Sequence, residues 1–88
     1  MPEISRFYGI VIRLFYETGR HRQPHFHAAY SEYLASYNID PPALLAGTLP
    51  RRQHHLVLAW AELHQEELME NWRLAEEQQP LHTIDGLK

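Results

Sequence analysis

Cysteine is absent from this chain of 88 residues, which removes disulfide staples and thiolate metal sites from consideration. Any metal would have to be held by imidazole, carboxylate or water. The absence also fits a reducing cytoplasm, the expected location. No apolar run approaches the roughly 18 residues that a membrane span requires, and the N-terminus has no apolar segment ending in a small-residue cleavage site. A soluble, unprocessed chain with no membrane partner is therefore expected. There is no nucleophile elbow, phosphate-cradling glycine loop, zinc-finger spacing or metalloprotease helix motif. Strong charge of one sign is missing too: 8 Lys and Arg stand against 11 Asp and Glu, a net charge of −3 with neutral histidines, which argues against a general nucleic-acid binder.

The charge that is present is unevenly spread. Over residues 1–30, Arg6, Arg13, Arg20 and Arg22 outweigh Glu3 and Glu17 by two; from Arg51 onward, seven acidic residues outweigh four basic ones by three. The basic and acidic ends can thus serve different partners. A chain of this length is one domain, burying only about 60–65% of its unfolded surface.

The order of elements predicts an α+β fold: a small antiparallel sheet of three to four strands packed against one long C-terminal helix. Residues 7–16 are rich in β-branched and aromatic side chains and read as a strand, with Ile10, Ile12 and Leu14 on one face and Val11, Arg13 and Phe15 on the other. A polar loop over residues 17–24 follows, punctuated by Gly19 and Pro24. Strands over 25–30 and 33–39 flank Ser31-Glu32, a two-residue gap that permits a tight hairpin although neither residue favours positive φ. Asp40-Pro41-Pro42 ends the third strand, and 43–46 is a candidate short edge strand. Thr48 and Pro50 then give helix-start chemistry, a hydroxyl near the N-cap and a proline in the first turn. The helix is expected over about 50–78, with Leu56, Trp60, Leu63, Leu68, Trp72 and Ala75 facing the sheet and Glu62, Glu66, Glu70 and Glu77 facing water. The tail over 79–88 reads as irregular.

The densest chemical signal is Pro24-His25-Phe26-His27-Ala28. On a strand both imidazoles leave one face about 7 Å apart, while Phe26 points to the other, the core. Such a pair can share one zinc or nickel ion if His21, His54, His55 or Glu17 supplies a third ligand. It can act as general acid and base, or it can be structural, one ring bonded to a backbone carbonyl and the other exposed. Arg51 and Arg52 at the helix N-terminus oppose the macrodipole, so their placement makes most sense beside an anion such as phosphate; the plainer reading has them in water or paired with nearby carboxylates. His64, on the apolar stripe, reads as a core-edge histidine bonded to a backbone group. His54 and His55, adjacent on a helix, diverge by about 100° and chelate poorly. Trp60 and Trp72 read first as core anchors; Trp72, near the acidic end of the helix, can instead be a partly exposed anchor for a protein partner.

Taken together, 1–9 (Met-Pro-Glu-Ile-Ser-Arg-Phe-Tyr-Gly), the Pro24–Ala28 stretch, 47–51 (Gly-Thr-Leu-Pro-Arg), Leu56-Val57-Leu58 with Trp60-Ala61, and Asn71-Trp72 resemble the small bacterial proteins grouped as domain of unknown function 4160. The likeness covers nearly the whole chain, apart from a longer loop carrying Arg20, His21 and Arg22. The resemblance implies no established activity. It does imply one half of a two-gene cassette, in the manner of toxin–antitoxin pairs.

The leading expectation is thus a cytoplasmic interaction protein that binds a cognate small protein through the acidic helix, with Trp72, Glu66 and Glu70 as the docking face; a homodimer is a further arrangement open to it. The alternative is a toxin-like endoribonuclease or RNA-binding effector, with His25 and His27 as acid and base and Arg13, Arg51 and Arg52 on phosphate. A third is a histidine-based metal-binding protein. No cofactor is expected for folding, because the strand guarantees only two ligands.

Overall fold

The computed structural model describes residues 2–16 and 23–88. Its elements are β1 (Glu3–Phe7), β2 (Ile10–Arg13), β3 (His25–Tyr30), β4 (Tyr33–Asn38), β5 (Ala43–Gly47), α1 (Arg51–Leu63) and α2 (Gln65–Glu76). The strands form one antiparallel sheet in the order β1-β2-β3-β4-β5. The fold is α+β, as the sequence indicates, but with five strands and two helices in place of three to four strands and one long helix. None of the described helices is long and apolar enough to cross a membrane.

Two local features account for the difference. The stretch 7–16 does not form a single strand: Phe7 pairs with Ile10 across Tyr8-Gly9, and both turn residues take positive φ, 50° and 79°. This is the backbone that matches a two-residue hairpin to strand twist, and glycine adopts it without penalty. The chain before it, expected as a lead-in, is therefore β1, and it contributes Ile4 to the core at 1% exposure. The helix, in turn, breaks at His64, with φ −116° and ψ 27°. Neither proline nor glycine stands there. The break coincides with Gln65, whose amide donates to the Ile39 carbonyl and to Asp40 Oδ1, both at 3.1 Å.

The helix start also departs from expectation. Pro50 is itself the N-cap of α1, no side chain caps the helix, and the Thr48 hydroxyl donates to the Leu49 carbonyl at 3.4 Å instead. The hairpin across Ser31-Glu32 does form, with Ser31 taking φ 53° and its hydroxyl bonded to Glu32. At the end of β5, Gly47 takes φ 74°, and a Cβ there would stand 2.2 Å from the Leu34 carbonyl oxygen, so no larger residue fits this corner.

One face of the sheet, with Ile10, Ile12, Leu14, Phe26 and Tyr37, packs against Val57, Trp60, Ala61 and Leu68 of the helices. The Trp60 ring meets Phe7 and Phe26 at 5.4 and 5.7 Å between centroids. Leu63, expected on this stripe, is 71% exposed; it lies about 120° round the helix from Val57, outside the buried arc. The tail, though irregular in backbone, is docked. Asn71, buried, donates to the His82 carbonyl and accepts from the His82 amide, each at 2.8 Å. Trp60 Nε1 donates to the Asp85 carbonyl, and the Ile84 amide donates to Ile4 of β1.

Candidate functional site

Alternation along β3 puts Phe26 and Ala28 in the core and leaves His25 and His27 half-buried; His27 stands on the face away from the helices, whereas the ring of His25, at the start of the strand, reaches Trp72 of α2. Register extends this face sideways. Arg13 of β2 is opposite His27, His27 is opposite Ser36 of β4, and Ser36 is opposite Ala46 of β5. Cross-strand partners share a face, so one row carries a guanidinium, an imidazole and a hydroxyl. Aromatic contacts run along the strand from it: Phe15 meets the His27 ring edge-on at 4.4 Å, His27 meets His25 at 5.2 Å, and His25 meets Trp72 at 5.3 Å.

His25 Nδ1 lies 2.8 Å from the Gln23 carbonyl oxygen. A carbonyl only accepts, so Nδ1 carries the proton and Nε2 is the basic nitrogen of the neutral ring. His27 Nε2 is withdrawn from solvent. The pair thus has one imidazole tied to backbone, as the structural reading expected, while the other is packed against Phe15 instead of standing exposed.

Arg13 joins the histidines, whereas Arg51 and Arg52 do not. The latter begin α1, in the layer on the opposite side of the sheet, and are exposed there without hydrogen-bond or ion-pair partners among the described residues. His54 is also on that side, with Nδ1 2.9 Å from the hydroxyl of Tyr37. Burial pushes the Tyr37 phenol up to about 12, so the hydroxyl keeps its proton at neutral pH and donates to His54 when that ring is neutral. Among the described residues no group of three His, Asp or Glu side chains is placed to hold a metal ion. Glu17 and His21, the other third ligands considered, lie outside the described residues. His64 bonds the Glu67 carboxylate at 2.5 Å, not a backbone group.

The acidic helix face is only partly as expected. Trp72 is 7% exposed, its ring covered in part by His25, so it cannot serve as an exposed anchor. Glu66 and Glu70 do face water, lining a cleft with Asp40, Gln65, Met69 and Arg73. Hydrogen bonds from Arg73 hold the Glu70 carboxyl below its ordinary range, whereas Glu66 has no ion-pair partner among the described residues.

Sequence reasoning offered 43–46 as a short edge strand, which β5 is, but did not single it out as a binding surface. All five residues of β5 are exposed, including Leu44 at 43% and Leu45 at 46%, and Leu34 of β4, beside the Gly47 end of the strand, is 71% exposed. The signal was in the string Ala-Leu-Leu-Ala-Gly, an apolar strand with no charge or proline within it.

A family model described as Domain of unknown function (DUF4160) matches residues 9–73, and the chain belongs to that family. No curated protein and no solved structure matches it.

Proposed function

We propose that the protein works by binding a cognate small protein, in the manner of one component of a toxin–antitoxin-like pair, and that the partner adds to the sheet at β5. The observation that carries this reading is the contrast between the two sheet edges. At β1 the tail covers the edge, with the Ile84 amide bonded to the Ile4 carbonyl at 2.7 Å. β5 ends the strand order on the other side and is exposed throughout. Edges of this kind are usually blunted by charge, proline or a covering segment, because unpaired backbone beside apolar side chains is a template for another strand. β5 has none of these within it.

Charge supports a different protein over a second copy. Asp40 lies just before β5 and lines the cleft that also holds Glu66 and Glu70. A partner with an apolar strand and a nearby basic side chain complements both features, whereas two copies of a chain of net charge −3 bring like charges together. Co-expression with the product of the adjoining gene, followed by size-exclusion chromatography over a range of salt, tests the reading. Co-elution as a defined complex is expected. Failure to co-elute at any salt, or a stable homodimer unaffected by the second protein, refutes it.

A ribonuclease reading retains one supporting observation, the pairing of Arg13 with His27 and the contact of His27 with His25. It loses Arg51 and Arg52 from the set. If it holds, induction in cells arrests growth and His25→Ala or His27→Ala relieves the arrest; undiminished arrest in both variants removes the histidines from any mechanism.

A further inference from the structure

The open sheet face is hollow between β2 and β5. Beyond His27, which stands in the row between Arg13 and Ser36, its central outward side chains are small (Ala29, Ser36 and Ala46), while Arg13 and Phe15 rise on one side and Leu34 on the other, leaving a groove of about 310 Å³. That volume is at the lower end of the roughly 300–1,000 Å³ usual for small-molecule sites. Most of the lining is apolar, and among the described residues its one permanent charge is Arg13.

Arg13 is half-buried, yet among the described residues it has no hydrogen-bond or ion-pair partner. The carboxylate opposite it in the β1–β2 pair belongs to Glu3, which is already held by Arg6 through bonds of 2.8 and 2.9 Å. A guanidinium presents five donors in a planar fork, and drawing it from water without an acceptor costs free energy. The Ser36 hydroxyl, two strands away in the same row, is likewise without a partner among the described residues. Among the described residues these donors therefore line a concave apolar surface without a hydrogen-bond acceptor of their own, the Glu3 carboxylate feeling the charge of Arg13 but bonding Arg6.

We propose that this groove binds a small amphipathic monocarboxylate, with the carboxylate on Arg13 and the apolar body over Ala29, Ser36 and Ala46 between Phe15 and Leu34. One permanent cation balances one negative charge; a phosphate dianion would leave a charge uncompensated in a largely apolar groove. The site goes beyond the protein-binding reading; it borders β5 through Ala46 and Gly47, and the two are told apart by variants, because Arg13 lies outside β5 and Leu44 and Leu45 lie outside the groove.

The test is an amide NMR titration of the intact chain with three probes: 4-methylpentanoate, its primary amide, and inorganic phosphate. The carboxylate is expected to give saturable shifts centred on Ala29, Ser36 and Ala46, with the amide and phosphate at least about tenfold weaker. Arg13→Gln is expected to weaken the carboxylate by about tenfold or more while its melting temperature stays close to wild type. If that variant does not fold, Arg13→Lys keeps the charge without the fork and is expected to weaken binding by about fivefold. Absence of saturable shifts, equal binding of acid and amide, phosphate binding more tightly than the acid, or full affinity in the folded Arg13 variant overturns the proposal.

Discussion

His25 and Trp72 pack ring against ring, with centroids 5.3 Å apart, so a histidine of the most conspicuous motif covers the tryptophan that reads from sequence as a core anchor or a partly exposed one. His25→Ala should therefore uncover one indole face without unfolding the chain. The expected result is a red shift and stronger quenching of tryptophan emission, with a loss of about 1 kcal/mol or less, since the ring is only half-buried. Unchanged emission would mean that the contact is not maintained in solution.

Metal should not be required for folding. The strand brings two imidazoles together, and no described set of three ligands completes a site. Melting in chelator and in added zinc is expected to give the same midpoint within about 2 °C. A large loss in chelator for the wild type, absent in the His25→Ala/His27→Ala double variant, would establish a metal site. Its affinity should then fall as pH drops through the histidine range near about 6.5.

Asn71 clamps the tail through both bonds to His82. Asn71→Ala removes both and leaves backbone groups of His82 without these partners, a cost of roughly 1–3 kcal/mol. Amide exchange over residues 82–86 should quicken more than exchange in β3. Equal acceleration everywhere would show that the tail is integral to global folding and not a separately docked segment.

Tyr37 gives the fold an alkaline limit. Its folded pKa is raised from 10.0 to about 12 by burial, so above pH of about 10 the unfolded chain releases a proton that the folded one retains. Stability is fully present below that point and declines as pH rises towards about 12, by up to roughly 2–3 kcal/mol. Tyr37→Phe should lose about 1 kcal/mol at neutral pH, through the lost bond to His54, and show a flatter decline between pH of about 10 and 12. The same slope in the variant would assign the alkaline transition to other groups.

What the sequence made legible was whatever short-range periodicity controls. The alternation through Ile10, Ile12 and Leu14, and through His25, Phe26 and His27, places core and open faces correctly. Three- and four-residue spacing finds Trp60, Leu68, Trp72 and Ala75 on the buried side of the helices. The turn at Tyr8-Gly9 was obscured because aromatic and β-branched residues continue on both sides of it, although an isolated glycine in a strand pattern marks such sites. The break at His64 has no proline or glycine to announce it, and the bond that coincides with it, from Gln65 to Ile39, is long-range. For the candidate site, the His-x-His face was readable, as was Arg13 near it. The separation of Arg51 and Arg52 was not, since only topology puts α1 on the other side of the sheet. The bareness of β5 depends on where the tail docks, and residues 79–88 give no local sign that they cover β1 and leave the far edge open.

The central claim is that a partner strand pairs with β5, and amide hydrogen exchange over residues 43–47, with and without the product of the adjoining gene, tests it most directly. Exchange there should slow by at least about tenfold in the complex, and Leu44→Lys with Leu45→Lys should abolish both the protection and the co-elution. Unchanged exchange in β5, with protection appearing instead across Glu66 and Glu70 of α2, would contradict it.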